Sequence, residues 1–182
     1  DQLLWTLIGV PTALLGAWVG SGGASSPLAA SRAPTVAVHA KPQAAEVPRA
    51  LSYEQCCAYA AGRIADALGP LFAEVDSFPT RVRLPDGPLQ LVDAIDLIEG
   101  APKSMGSGRV VTRHAVRDDR WYLQSGRIPT AICVEAGQAD LFLSGFLGID
   151  FQTRGLAVYR LLDAVVSFHR GLPQVGETVV YD

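Results

Sequence analysis

The sequence predicts an α+β domain in which an antiparallel sheet wraps one long buried helix. Two short runs with period-two or continuous apolar character, at 89–98 (LQLVDAIDLI) and 109–116 (RVVTRHAV), are bounded by Gly, Pro or Asp and read as strands. A run that is apolar nearly all round, PTAICVEAGQADLFLSGFLGI at 129–149, is long enough for a helix of about five turns. Strand character resumes at 156–168 (LAVYRLLDAVVSF) and 177–181 (ETVVY) after that helix. One helix without a polar face among strands must bury itself against them.

The elements follow in chain order. Residues 3–19 (LLWTLIGVPTALLGAWV) carry no charge and approach the length of a membrane span. Pro11, Gly9, Gly16 and the lack of any Lys or Arg before Arg32 argue against a spanning or signal segment, and 1–19 reads as the remnant of a preceding domain. Residues 20–49 are Gly, Ala, Ser or Pro at 19 of 30 positions and read as a linker that cannot bury enough surface to order itself. His39 within it reads as a solvated histidine. The folded domain is expected over 51–182, ending inside its sheet and so incomplete at its C-terminal side.

Ser52 followed by Gln55 is a capping-box pattern, and YEQCCAYAAGRIADAL continues it as one amphipathic helix that Gly69-Pro70 stops. Cys56 and Cys57 lie on that helix as small apolar residues. Three cysteines without C-x-x-C spacing indicate neither a disulfide framework nor a zinc site, and they fit a reducing, cytoplasmic compartment. With a formal net charge of -3, the chain has no basic footprint for nucleic acid. Gly106-Ser107-Gly108 lacks the following helix and the Lys-Ser/Thr of a phosphate loop.

Within the helical run only Thr130, Glu135, Gln138, Asp140 and Ser144 are polar. Glu135 and Gln138 are three apart and share a face. A carboxyl in apolar surroundings has its charged form disfavoured, the condition for a general acid, which makes Glu135 the first catalytic candidate. Equally open is a core carboxylate satisfied by a backbone amide or by Arg127. His114 lies mid-strand and His169 at a strand end, and spacing assigns a role to neither.

The segments LPDGPLQLVDAI (84–95), DDRWYL (118–123), IPTAICVEAGQADL (128–141) and LLDAVVSFHRGLPQVGETVVYD (161–182) resemble the hot-dog-fold β-hydroxyacyl carrier-protein dehydratases. Within that group they look like the modules of polyunsaturated fatty acid synthases and related polyketide synthases. The resemblance covers about 51–182 and implies a lyase that eliminates water from 3-hydroxyacyl thioesters to give 2-enoyl thioesters. It implies an acyl carrier protein as partner, a substrate carried on its phosphopantetheine arm with no directly bound cofactor and no metal, and a second hot dog or dimer partner. In the family a strand-end histidine removes the α-proton, and an acid six residues after a proline assists loss of the β-hydroxyl. Here Pro129 and Glu135 match that spacing, while Gln124-Ser125 stand where the histidine is expected, Thr130 replaces the usual glycine and Ala94 replaces an arginine. Gln138, Gln124, Thr130 and His169 are therefore expected around substrate, with the histidine supplied by another half. Two alternatives remain: a hot-dog acyl thioesterase, in which a helix carboxylate activates water, and a non-catalytic structural half of a double hot dog.

Overall fold

The computed structural model describes residues 4–5, 46–159 and 165–182. Nearly all of the apolar start and of the 20–49 tract lies outside the described residues.

Four strands form one sheet in the order β1-β4-β3-β2, with β1 Leu4–Trp5, β2 Ala94–Glu99, β3 Arg109–Ala115 and β4 Thr178–Tyr181. Strands β2, β3 and β4 are antiparallel, and β1 joins β4 in parallel through its backbone. The 89–98 run is strand only from Ala94, because Gly87–Leu89 winds into a single 3-10 turn started by Pro88. The outer edge of β2 is covered by the chain entering the first helix, since Leu51 and Ile95 exchange backbone bonds and Ile98 N–H reaches Arg49. An open edge would otherwise be a template for aggregation.

Helix α1 (Tyr53–Ala61) starts where the capping box places it: Ser52 Oγ accepts from Gln55 N–H, and the Gln55 side chain accepts from Ser52 N–H at 2.9 Å. The single helix expected through Leu68 is interrupted at Gly62-Arg63, and α2 (Ile64–Leu68) begins anew there. The restart is stabilised by Asp76, whose two oxygens accept from Ile64 N–H at 2.7 Å and Ala65 N–H at 3.1 Å.

The helical run after Pro129 also departs from one uninterrupted helix. It consists of α3 (Thr130–Ala136), α4 (Asp140–Phe146) and α5 (Ile149–Thr153). Between α3 and α4 the winding tightens to i→i−3 bonds, Gly137 to Val134, Gln138 to Glu135 and Phe142 to Ala139. The Tyr181 ring packs against this stretch, 2.9 Å from where a Cβ on Gly137 would stand. Gly148, at φ +103°, separates α4 from α5.

The apolar interior has two parts. One gathers α1, α2, the 3-10 stretch Pro70–Ser77, β2 and α4 around Tyr59, Phe72, Phe142 and Phe146. The other lies under α3 and contains Leu91, Val116, Tyr122, Ile128, Cys133, Ala136, Val179 and Tyr181. The strand expected at 156–168 is not formed in its described residues: 156–159 and 165–168 are irregular, and Leu156, Val158 and Val165 are exposed. Apolar periodicity reports what a segment could bury, not whether it joins a sheet.

Candidate functional site

Helix α3 is delivered by a tight turn. Gln124 and Arg127 exchange both backbone bonds, N–H to C=O at 2.9 and 3.0 Å, across Ser125 and Gly126, which have φ +49° and +72°. Two successive left-handed residues are what a type I′ hairpin turn requires. The turn is held from outside by Val175 N–H on Gly126, by Ile128 N–H on Pro173, and by the Arg127 guanidinium on the Leu172 carbonyl at 2.6 Å.

Pro129 then caps α3 without a side-chain bond, and Thr130, its first residue, is exposed. Glu135 sits one turn on, half-buried rather than enclosed. Its Oε2 accepts from Gln138 Nε2 at 2.9 Å, so the two residues expected to share a face are joined directly. Arg127, offered by the sequence as a core partner for Glu135, instead bonds the Leu172 carbonyl. Gln124 is exposed in the turn, and His169 is exposed on the segment before the turn at 171–176. Of the five residues expected around substrate, the structure thus brings together Glu135 and Gln138, places Gln124 and Thr130 on the segment leading to them, and sets His169 on a different one.

The helix is aimed by the sheet. Tyr181 on β4 donates its phenol to the Cys133 carbonyl at 2.9 Å, while its ring lies against Gly137. These contacts bracket Glu135 on both sides along the helix. Burial first, and then Cys133, hold the Tyr181 phenol in its protonated, donating form. Burial also pushes the Cys133 thiol up, which removes it as a nucleophile, and the Cys56 thiol is pushed up to about 12 for the same reason.

The histidine that sequence spacing could not assign proves to be fully enclosed. His114 on β3 is 0% exposed, and its Nε2 lies 2.5 Å from the Tyr122 hydroxyl. Its Nδ1 faces Asp93 Oδ2 at 3.5 Å. Asp93 also accepts from Ala115 N–H at 2.6 Å and Arg120 at 2.7 Å. The alternation of β3 puts Thr112 and His114 on its buried face. That signal is present in the sequence, but the partner Tyr122 is not, because only the fold of the intervening segment brings it back.

Among the described residues no group of three or more His, Cys, Asp or Glu side chains could hold a metal ion, and no helix is long and apolar enough to cross a membrane.

No family model matches the chain. Over 132 residues, 72% of its length, the chain is 39% identical to one subunit of the polyunsaturated fatty acid synthase of Thraustochytrium sp. (strain ATCC 26185 / S-3). The chain spans only 9% of that much longer protein. It is, over most of its length, a segment related to one part of a polyunsaturated fatty acid synthase.

Proposed function

We propose that the chain is a hot-dog dehydratase-type segment of a multidomain fatty acid synthase, acting on 3-hydroxyacyl thioesters carried on the phosphopantetheine arm of an acyl carrier protein. The observation that carries this reading is the placement of Glu135. A tight turn, a helix-starting proline and the Tyr181 phenol fix α3, and Gln138 holds one carboxyl oxygen of Glu135. Kinship with part of a polyunsaturated fatty acid synthase supports the same setting.

In this mechanism a histidine from a second hot dog takes the α-proton while Glu135 gives a proton to the β-hydroxyl. The C–O bond breaks, water leaves, and the α,β double bond forms. Gln138 orients the carboxyl through its amide N–H, and Thr130 and Gln124 stand at the approach to the helix. Glu135→Gln in the full-length module should lower dehydration of a 3-hydroxyacyl carrier-protein substrate by about 10²–10⁴-fold without moving the melting temperature. Unchanged dehydration would remove Glu135 from the mechanism.

One observation favours a second reading, a catalytically silent half. Among the described residues His114 is committed to Tyr122 and Asp93, and His169 lies on a separate exposed segment. If the double variant Glu135→Gln/Gln138→Ala leaves the synthase's product profile intact, the silent half is correct. Release of free acid from acyl thioesters with no enoyl product would instead identify a thioesterase.

A further inference from the structure

The polar cluster around His114 is buried, connected and unused by the proposed reaction. Its imidazole is enclosed on every side. Asp93 approaches from the residue before β2, Tyr122, Arg120 and Arg117 come from the segment after β3, and β4 contributes the apolar Val179 opposite it. Tyr181, next but one along β4, is occupied by the Cys133 carbonyl.

The segment 117–123 returns over the sheet edge and is tied to it by side chains. Arg120 bonds Asp93 at 2.7 Å, Arg117 lies 3.6 Å from the same carboxylate, the Trp121 indole N–H bonds the Pro88 carbonyl at 3.0 Å, and Tyr122 bonds His114. Of these ties only the one to His114 lies wholly in the interior, with both side chains buried.

A neutral imidazole can accept the Tyr122 proton at Nε2, but an imidazolium presents a donor at both nitrogens. The phenol O–H would then lose its acceptor inside the apolar cluster. The new charge would face a carboxylate already shared by two guanidinium groups and a backbone N–H. The imidazolium N–H would donate to the phenol oxygen instead, and a phenol proton left buried without an acceptor is costly.

We infer that His114, Tyr122 and Asp93 form an acid-released latch, in which the neutral imidazole holds segment 117–123 and the attached turn at 124–127 on the sheet, and protonation opens them while the strands stay paired. The electrostatics agree in sign. Burial pushes the His114 imidazole below its ordinary value, Asp93 opposes it without prevailing, and Arg120 and Arg117 act in the same direction as burial. Burial holds the Tyr122 phenol up, so it remains a donor. The closed form therefore binds fewer protons than the open form. Closure is complete above the ordinary histidine value near ~6.5 and is lost as pH falls below it.

Hydrogen exchange on the full chain tests the latch, with rates corrected for the intrinsic pH dependence of amide exchange. Between about pH 7.5 and pH 5.5, the opening constant of amides in 117–128 should rise up to about tenfold, the limit set by a histidine that titrates only when open. Amides within β2 and β3 should change far less. His114→Gln, which keeps an acceptor for Tyr122 but cannot titrate, should abolish the difference. Equal protection of 117–128 at the two pH values, or a pH dependence that survives His114→Gln, would overturn the latch. If that variant does not fold, the wild-type imidazole decides by its NMR titration: a midpoint below about 6.5, tracked by resonances of 117–128, supports it, and a midpoint at or above that value overturns it.

Discussion

Gly137 shows how one missing Cβ sets the geometry of the candidate site. Its backbone is right-handed, so alanine would suit the local winding and gain up to about 1 kcal/mol of helix propensity. The Tyr181 ring, however, lies 2.9 Å from where the new Cβ would stand. That ring cannot swing away cheaply, because its hydroxyl is tied to the Cys133 carbonyl one turn earlier. Overpacking of this kind costs about 1–3 kcal/mol, and it wins over the propensity gain. Gly137→Ala should therefore lower the urea midpoint and, in the full module, reduce activity through displacement of Glu135. Tyr181→Phe should cost about 1 kcal/mol by leaving the carbonyl one bond short, with the ring packing kept. Should Gly137→Ala prove stabilising, the ring would be freer than its contacts imply.

At the scale of elements, the parts legible in the sequence are those coded by neighbouring residues. Ser52 and Gln55 form their capping box at the expected place, and the period-two pattern of 109–116 yields β3 almost to the residue. Elements whose limits depend on distant partners are not legible in the same way. The break at Gly62-Arg63 exists because Asp76, twelve residues beyond Ile64, supplies the acceptors for a new helix start. The close approach of the Tyr181 ring to Gly137, 44 positions away, is not revealed by a helical pattern either. The apolar residues of 156–159 and 165–168 look like strand by composition but are irregular in the fold. Of the candidate site, the Glu135–Gln138 pair is legible because it spans three helical residues, whereas the His114–Tyr122 contact is not. Asp76 gives this distinction a measurable form. Asp76→Ala removes both acceptors at the start of α2 and should destabilise the fold by about 1–2 kcal/mol. Ser52→Ala, whose cap is exposed, should cost about 1 kcal/mol or less. Equal losses in chemical denaturation would mean that the half-buried cap contributes no more than the exposed one.

For the molecule as a whole, closure depends on ties between segments far apart in sequence, and Asp150 makes the longest of the buried side-chain ties among the described residues. Both of its oxygens accept from Val82 N–H, at 3.1 and 3.0 Å across 68 positions, joining α5 to the extended chain before the sheet. The residue is 2% exposed. Burial raises its pKa above the ordinary value, while the Val82 bond and Arg81 pull it down less strongly. The sign follows from linkage. A carboxyl whose pKa is higher in the folded state holds its proton more tightly there, so its contribution is full below the unfolded value near ~3.9 and declines as pH rises through the folded value. An Asp150→Asn variant would keep one acceptor for Val82 without any charge to desolvate. The advantage of wild type over this variant, read as the difference in unfolding free energy, should be largest in acid and shrink as pH rises toward neutrality. The half-buried carboxylates Glu177 and Asp182, lowered by the Gln174 N–H with Arg170 and by Arg109 respectively, titrate with the opposite sign. They are common to both proteins and cancel in the difference. A wild-type advantage that stays constant from about pH 3 to pH 7 would show that Asp150 acts through its shape and hydrogen bond alone, and that burial of its charge costs the fold nothing.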